Sequence, residues 1–275
     1  MKQPLLISRT PHHISTISPN SNIQNMANHN PTILLIPGAW HKGSTFDLVA
    51  TILRDQGYQA ETITLPSVGG PASTTAYDDA EYIQRQYLEP LISSERNVIL
   101  LMHSYAGVPG TESVKGFTRK GLAGQGKKGG VVGLIYLSSF IVPAGASVAT
   151  LLPGGLDSFM TMEGDMMVPK NPRENFYNDL DDAAAEEYLA DIVPHAPATM
   201  STPLTYEAYR AVDTSYIFCT RDTGFPLVGQ QRIAAIAGKE RVHTYSVDAG
   251  HFAMLSRPGD VANAIMDVAS RVVQN

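Results

Sequence analysis

Ser104 stands where an apolar run ends and small residues begin, in the stretch VILLMHSYAGVPG. An apolar strand that turns sharply into a helix at a serine presents the hydroxyl at the C-terminal edge of a sheet, as a nucleophile elbow does. The usual form of this turn is G-x-S-x-G, but here Met102 and Ala106 occupy the two glycine positions. Gly107 follows one residue later. The motif alone does not separate a nucleophile from a serine that caps the following helix.

An acid and a histidine follow the serine in the chain order that this kind of elbow requires. Asp222 comes after the apolar run TSYIFCT, and His251 comes after VHTYSV. The histidine would take the serine proton, and the acid would hold the tautomer of the histidine and stabilise the imidazolium. We therefore predict Ser104, Asp222 and His251 as a catalytic triad. Alternatively, Asp222 caps the next helix and His251 packs under a loop, and Asp248 is a second candidate for the acid.

The segment LLIPGAWHKGS, which contains the first apolar run, offers backbone donors for an oxyanion. Attack on a carbonyl carbon places negative charge on its oxygen, which preorganised N–H groups stabilise. We predict the N–H groups of Ala39 and Tyr105 as these donors. We also predict that Gly38, Trp40 and His41 contact the substrate, although an ordinary turn is the alternative explanation of the glycine.

Short apolar runs rich in β-forming residues alternate with amphipathic helical stretches from residue 32 onward. The predicted strands are TILLIP, ETITLP, NVILLM, VVGLIYL, TSYIFCT and VHTYSV, and the helical stretches include FDLVATILRDQG, DDAEYIQRQYLEPLIS and PGDVANAIMDVASRVV. Runs that are apolar on both faces are typical of buried parallel strands. The alternation predicts an α/β fold, with a mostly parallel twisted sheet flanked by helices.

Three segments depart from this alternation. Residues 1–30 are rich in Ser, Asn, His and Pro, and we predict a disordered leader there. Residues 115–130 form a Lys- and Gly-rich insertion whose role stays open. Residues 140–212 are predicted to be a helical cap, inserted before the last two strands of a core made of residues 31–139 and 213–275. Both ends of the cap are expected at the sheet edge that holds the serine, so that the cap covers the site.

Four methionines lie close together in the predicted cap, in the stretch SFMTMEGDMM. Because Met side chains adapt to irregular apolar ligands, we predict that Met160 and Met162 line the substrate pocket. Packing of the cap onto the core is the alternative. Phe252, directly after His251, is also predicted to contact the substrate, whereas His195 is expected to be structural.

The composition limits the classes of partner. The 275 residues are 43% hydrophobic, which suffices for a large core, and the formal net charge of −6 argues against a nucleic-acid partner. No apolar run approaches the ~20 residues of a membrane span, and a single cysteine forms no internal disulfide. We expect a soluble, cytoplasmic protein that acts on a small molecule without a membrane partner. The sequence has no metal-ligand spacing and no G-x-G-x-x-G motif, so we predict no metal and no other cofactor; a homodimer is left open.

The residues IPGAWHKGSTF, MHSYAG, CTRD and AGHFAMLSRP together resemble the α/β-hydrolase superfamily. Within it they resemble the small esterase and hydroxynitrile lyase group, which includes plant methyl-ester esterases. The likeness extends from Pro31 to the C-terminus, and GHFAMLSRP is similar to the esterase pattern DHxAMLxxP. The resemblance implies the α/β-hydrolase fold, a triad and acyl-type chemistry, and it leaves the substrate open.

Two positions bear on the choice between the esterases and the lyases of this group. The lyases carry a threonine after the oxyanion-loop histidine and a lysine directly after the catalytic histidine. The matching residues here are Gly38 and Phe252, so the resemblance implies an esterase rather than a cyanohydrin lyase. Pro37 replaces the loop histidine, which is a departure from the family pattern.

Three functions follow from these observations. The first is a serine hydrolase that cleaves a small, largely apolar carboxylic ester, lactone or thioester through an acyl-enzyme. The second uses the same triad for lyase, cyclase or condensation chemistry on a polyketide-like metabolite. The third is a ligand receptor with weak turnover. An intact triad favours the first two, which differ in water access and pocket shape.

Overall fold

A six-stranded parallel sheet forms the centre of the computed structural model, which describes residues 30–152 and 154–274. The strands are, in chain order, β1 (Thr32–Ile36), β2 (Ala60–Thr62), β3 (Asn97–His103), β4 (Gly130–Leu137), β5 (Met160–Glu163), β6 (Met166–Pro169), β7 (Asp213–Cys219) and β8 (Val242–Val247). The sheet has the order β2-β1-β3-β4-β7-β8, and every neighbouring pair in it is parallel. All six predicted strands are therefore confirmed, while the predicted leader lies outside the described residues except for Asn30.

Helices lie between these strands in the order that a βαβ series requires. They are α1 (Asp47–Asp55), α2 (Ala76–Ile83), α3 (Glu89–Ser93), α4 (Gly107–Ser113), α5 (Arg119–Ala123), α6 (Val148–Leu151), α7 (Pro172–Phe176), α8 (Asp182–Ala190), α9 (Ala198–Ser201), α10 (Leu227–Ala234), α11 (Ala253–Ser256) and α12 (Pro258–Gln274). A capping box between Thr75 and Asp78 begins α2, and five π-helical residues, Gln84–Leu88, join it to α3. Within the described residues, none of these helices is both long enough and apolar enough to cross a membrane.

The register of the central strands brings their C-terminal ends to one edge. Met102 of β3 lies beside Ile36 of β1 and Tyr136 of β4, and Cys219 of β7 lies beside Val247 of β8. All five of these side chains are buried, because helices cover both faces of the sheet. The loops that leave β3, β4, β7 and β8 therefore meet at the same edge, and the loops after β3, β7 and β8 carry the predicted catalytic residues.

The predicted cap, residues 140–212, differs from the prediction in two respects. It contains four short helices, α6 to α9, but also the antiparallel hairpin of β5 and β6. Its two ends also lie at opposite edges of the sheet, because β4 and β7 are parallel: the chain leaves β4 after Leu137 and enters β7 at Asp213, beside Gly133. The expectation that both ends lie at the serine edge was therefore wrong.

Backbone hydrogen bonds nevertheless join this segment to the core loops near the serine. Ala196 N donates to Ser67 O at 2.9 Å, Gly69 N donates to Pro194 O at 2.8 Å, and Val193 N donates to Trp40 O at 3.0 Å. The return of the chain toward β7 passes along α4, where Thr205 N donates to Glu112 Oε2 at 2.7 Å. The segment is thus fixed over the edge that holds Ser104, even though only one of its ends starts there.

The start of α4 packs tightly against the loop that follows β4, which gives a test of the fold. A Cβ atom on Gly107 would lie 2.1 Å from the carbonyl oxygen of Phe140. Because backbone on both sides would have to shift, we expect Gly107→Ala to lower the free energy of unfolding by about 1 to 3 kcal/mol.

Urea denaturation measures this effect, and Gly259→Ala in α12 is the matched control. A Cβ atom on Gly259 would meet no heavy atom within 4 Å, and alanine favours the helix, so this variant should be as stable as the wild type or slightly more so. Equal destabilisation by both substitutions would contradict the close packing at Gly107.

Candidate active site

Ser104 lies at the turn from β3 into α4 in a strained backbone conformation. Its φ is 53°, in the left-handed region, which costs a non-glycine residue on the order of 1–3 kcal/mol. The carbonyl oxygen of Ser104 accepts hydrogen bonds from Phe140 N at 3.1 Å and from Ser139 Oγ at 2.7 Å. The loop after β4 therefore holds the strained turn, and an outlier of this kind at a strand end is typical of a functional site.

The two departures from G-x-S-x-G are explained by packing in α4. Met102, at the first glycine position, is buried, and a Cβ atom on Gly110 would lie 2.5 Å from its sulfur. A glycine at the position of Met102 would leave room for the helix to pack closely. Here Gly110 of α4 provides that room instead, because it has no side chain to meet Met102. Gly107, one residue later than the motif requires, is the residue that passes closest to the Phe140 carbonyl.

Asp222 and His251 form a buried hydrogen-bonded pair. His251 Nδ1 lies 2.6 Å from Asp222 Oδ2, and each side chain is at most 5% exposed. Oδ2 also accepts from Ser138 Oγ at 2.5 Å, and Oδ1 accepts from Phe225 N at 2.7 Å. Because a carboxylate surrounded by donors accepts from Nδ1–H, the other ring nitrogen, Nε2, is left free to take a proton.

Asp248, the alternative acid, points elsewhere. Its Oδ1 accepts from Arg221 Nε at 3.1 Å and from Thr220 Oγ1 at 3.2 Å, and its side chain is 74% exposed. The geometry therefore selects Asp222 as the partner of His251.

Ser104 and His251 face the same small cavity, of about 60 Å³. Its walls also include Trp40, Phe140, Leu152, Phe159, Asn175, Phe176, Gly224 and Phe225. Among the described residues, no hydrogen bond joins the Ser104 hydroxyl to His251, which is common for catalytic pairs before substrate binds. The ring of Phe176 stacks on the His251 ring with centroids 5.6 Å apart, so an aromatic side chain of the predicted cap shields the histidine from water.

The loop after β1 lies directly against the serine. A Cβ atom on Gly38 would be 2.7 Å from Ser104 Cβ and 3.3 Å from Ser104 Oγ, so only glycine allows this approach. Trp40 has a positive φ of 67°, and its indole Nε1 donates to Met167 O at 3.0 Å. Of the residues predicted to contact substrate in this loop, Gly38 packs against Ser104 and Trp40 lines the cavity.

His41 does not line this cavity, contrary to its predicted contact with substrate. It is buried, with Nδ1 2.7 Å from Ala39 O and Nε2 2.6 Å from the Tyr177 hydroxyl. Burial lowers the pKa of His41 to about 4, so the ring is neutral at physiological pH. It holds the backbone of the loop instead.

The remaining predicted contact residues are also placed away from the cavity. Phe252 is buried behind His251, packed on the rings of His41 and His103 with centroid distances of 4.2 and 4.8 Å. Met160 is buried in the hairpin, and Met162 is half exposed on its surface. Neither methionine is among the residues that line the cavity or the adjoining larger cleft. Their prediction as substrate contacts is not supported.

Tyr105 points its side chain away from the cavity and into a buried polar cluster. Its hydroxyl donates to Asp79 Oδ2 at 2.8 Å, and Ser67 donates to the same carboxylate from its N–H and its hydroxyl. Burial raises the pKa of Asp79 above its usual value, and these three donors oppose that shift. The Tyr105 side chain thus stabilises the turn between β3 and α4 from the side away from the cavity. The role of the Tyr105 N–H stays a prediction.

Several residues of this arrangement escaped the sequence analysis. His103, directly before the serine, donates from Nε2 to the carbonyl oxygen of His251 at 3.0 Å, and burial holds its pKa well below the usual value. Ser138 holds Asp222, and Tyr177 holds His41. His103 and Ser138 could have been found from their positions at the ends of predicted strands. Nothing in the sequence pairs Tyr177 with the loop after β1.

A larger cleft of about 840 Å³ adjoins the cavity at Ser104. The two share the walls Phe140, Leu152, Phe159, Asn175, Gly224 and Phe225. The cleft runs between the predicted cap and α10, where Ile233 and Ile236 add apolar surface. The small space at Ser104 therefore adjoins a much larger, partly apolar space.

No group of three or more His, Cys, Asp or Glu side chains suited to a metal ion occurs among residues 30–152 and 154–274. What the site offers is a hydroxyl, an acid-held imidazole and a glycine loop packed on the hydroxyl. A hydroxyl beside an imidazole that an acid holds is a combination from which acyl-transfer sites are built.

Comparison with known proteins agrees with this fold. The model of the alpha/beta hydrolase family matches residues 33–264. The chain is 28% identical over 251 residues to the alpha/beta hydrolase nvfD of Aspergillus novofumigatus, covering 89% of this chain and 98% of that protein. It is 30% identical over 254 residues to the probable hydrolase R7 of a Phoma species, covering 87% and 98%.

Two solved structures share the same architecture. A pyrethroid hydrolase from Sphingobium faniae JZ-2 aligns with a TM-score of 0.69 and 22% identity, over 89% of this chain and 99% of that chain. Polyneuridine aldehyde esterase aligns with a TM-score of 0.67 and 16% identity, over 87% and 99%. The protein is thus a member of the alpha/beta hydrolase family.

Proposed function

We propose that the protein is a carboxylic ester hydrolase that uses Ser104 as its nucleophile, with Asp222 and His251 completing a triad. The observation that carries this proposal is the buried 2.6 Å contact between His251 Nδ1 and Asp222 Oδ2, on the same cavity as the strained serine. The esterase and hydrolase structures with the same fold add support, because they show that the fold hosts ester-cleaving enzymes.

The proposed roles of the three residues define the steps of the reaction. His251 Nε2 takes the proton of the Ser104 hydroxyl while Ser104 Oγ bonds to the ester carbonyl carbon. The carbonyl oxygen becomes an oxyanion beside the loop after β1, where the N–H groups of Ala39 and Tyr105 are proposed to stabilise it. When the C–O bond breaks, the histidine gives its proton to the alcohol, and water then cleaves the acyl-enzyme by the same steps.

The cavities bear on the class of ester. The space at Ser104 is small, whereas the adjoining cleft is large and walled by Leu152, Phe159 and Phe225. Burial of an apolar group in such a cleft contributes about 0.8 kcal/mol per CH₂. We infer that the preferred substrate joins one compact group to one bulky apolar group, as an ester, lactone or thioester.

Chemical labelling and substitution of the serine test the proposed nucleophile. A fluorophosphonate should modify Ser104, and Ser104→Ala should lower kcat for p-nitrophenyl esters by at least about 10³-fold, because the covalent route is lost. Mass spectrometry of the labelled peptide and stopped-flow rates give the two results.

The alternatives from the sequence give different outcomes in this experiment. Labelling of Ser104 without hydrolysis of any ester would favour the lyase, cyclase or condensation reading, or a receptor. A label on a different residue, or an unchanged kcat in Ser104→Ala, would refute the proposed function.

The two aspartates near His251 provide a matched pair of substitutions. Asp222→Asn should lower kcat by about 10⁴-fold, because an amide no longer holds the Nδ1–H tautomer. Asp248→Asn, at an exposed carboxylate that contacts Arg221, should leave kcat within a few fold. Steady-state kinetics with circular dichroism as the folding control decide the matter, and a greater loss in the Asp248 variant would show that the acid is misassigned.

The cleft gives a prediction about selectivity. Phe159 lines both the small cavity and the cleft, so Phe159→Ala should lower kcat/KM for long-chain esters by about ten-fold or more while an acetyl ester keeps most of its rate. Met162→Ala, on the exposed face of the hairpin, is the control and should change neither. A uniform loss over all chain lengths in the Phe159 variant would argue against a substrate in the cleft.

A further inference from the structure

We propose that His41 and His195 are positioning residues that hold the two ends of the peptide bond between Ala39 and Trp40, which directly follows the Ala39 N–H, and thereby fix the loop conformation that directs this N–H at the reacting oxygen. The inference rests on the proposed function, because it assigns both histidines a part in the same acyl transfer. We call this arrangement the peptide clamp.

The carbonyl end of the peptide is held by His41. Its Nδ1 lies 2.7 Å from Ala39 O, and since a carbonyl oxygen only accepts, Nδ1 carries the proton. Nε2 of the neutral ring is then an acceptor, and the hydroxyl of Tyr177 donates to it at 2.6 Å. A tyrosine of the predicted cap therefore fixes the tautomer that His41 needs to hold the loop.

The amide end of the same peptide is held by His195. Trp40 N–H donates to His195 Nδ1 at 3.5 Å, so this ring carries its proton on Nε2. His195 is fully buried, and Nε2 has no hydrogen-bond partner among the described residues. An apolar side chain at this position would avoid the unpaired Nε2–H of His195. It would also lack Nδ1, the acceptor for Trp40 N–H, and this acceptor is a reason for a histidine here.

Both histidines must be neutral to act in this way, since each uses one unprotonated ring nitrogen as an acceptor. Burial lowers the pKa of His41 to about 4 and the pKa of His195 to about 3. Neither ring therefore gains a second proton at physiological pH, and the two hydrogen bonds to the peptide persist.

The clamped peptide is strained and lies next to the nucleophile. Trp40 has a φ of 67°, a conformation that a non-glycine residue adopts only when its surroundings hold it there. Gly38, on the other side of Ala39, packs against Ser104. Within the described chain, the Ala39 N–H has no backbone or side-chain acceptor, so it is available to a ligand.

A donor to an oxyanion acts in the transition state more than in the bound substrate. Loss of one such donor lowers kcat by about 10² to 10³-fold in well-studied acyl-transfer enzymes. Release of one end of the clamp leaves the N–H present but poorly aimed, so a smaller loss is expected. This loss should fall on kcat, because the walls of the cleft do not include either histidine.

Paired substitutions at His195 test the clamp. His195→Leu removes the acceptor at similar volume, whereas His195→Asn can offer its side-chain oxygen to Trp40 N–H. We expect His195→Leu to lower kcat by about ten-fold or more and to weaken a trifluoromethyl ketone that adds to Ser104 by the same factor, with KM within about three-fold. His195→Asn should recover most of both losses.

Tyr177→Phe is the second variant, because it removes one hydroxyl and leaves the ring packing in place. It should lower kcat and the affinity for the ketone together by a few fold, with thermal unfolding close to that of the wild type. This variant keeps the test decisive if a His195 variant does not fold.

The outcomes separate the clamp from the proposed function. If the folded Leu and Phe variants retain wild-type kcat and wild-type affinity for the ketone, or if Asn and Leu behave alike at His195, the clamp is refuted and the esterase assignment stands. If the wild type hydrolyses no ester and its Ser104 is not labelled, the proposed function is refuted and the clamp with it.

Discussion

The hydrogen bond between His251 Nδ1 and Asp222 Oδ2 is the interaction on which the rest of the site depends. It forms because β7 and β8 are adjacent and parallel, so the loops that follow Cys219 and Val247 leave the sheet side by side. Gln230 of α10 bonds both the N–H and the carbonyl of Cys219, which fixes the point where the first loop begins. The short contact between His251 and Asp222 thus depends on the register of β7 and β8 and on the buried side-chain amide of Gln230.

This pair is buried among aromatic side chains, and that environment strengthens the hydrogen bond. Phe176 of the predicted cap lies on the His251 ring, and Phe252 packs behind it. In such a low-dielectric setting a polar contact is stronger than in water, and an unpaired polar group is costlier. The carboxylate accordingly accepts from Ser138, from Phe225 N and from the imidazole, so that its charge is met by donors.

Hydrogen bonds join the predicted cap segment and the loop after β1 into one unit. Three backbone hydrogen bonds connect residues 193–196 to Trp40, Ser67 and Gly69, and the Trp40 indole bonds to Met167 O. The loop after β1 therefore takes part of its shape from a segment far away in the chain.

The amino-acid sequence by itself determined the fold class, the six strands and the three long helical stretches. Periodicity and the ends of apolar runs are local signals, and parallel strands bring their C-terminal ends to one edge whatever the loops contain. For the same reason Ser104, Asp222 and His251 could be named in advance as neighbours at that edge. The family resemblance rested on motifs of consecutive residues, which can be recognised in the sequence without knowledge of the structure.

Only the tertiary structure decided which side chains line the cavity at Ser104. Phe252, His41, Met160 and Met162 have the right chemistry and the right position in the chain, but the first three are buried and Met162 lies on an outer surface. Orientation depends on packing between elements that are distant in sequence, as does the pairing of Tyr177 with His41. The two ends of the cap segment lie at opposite edges of the sheet for a related reason: a parallel crossover must return the chain to the edge from which the next strand starts.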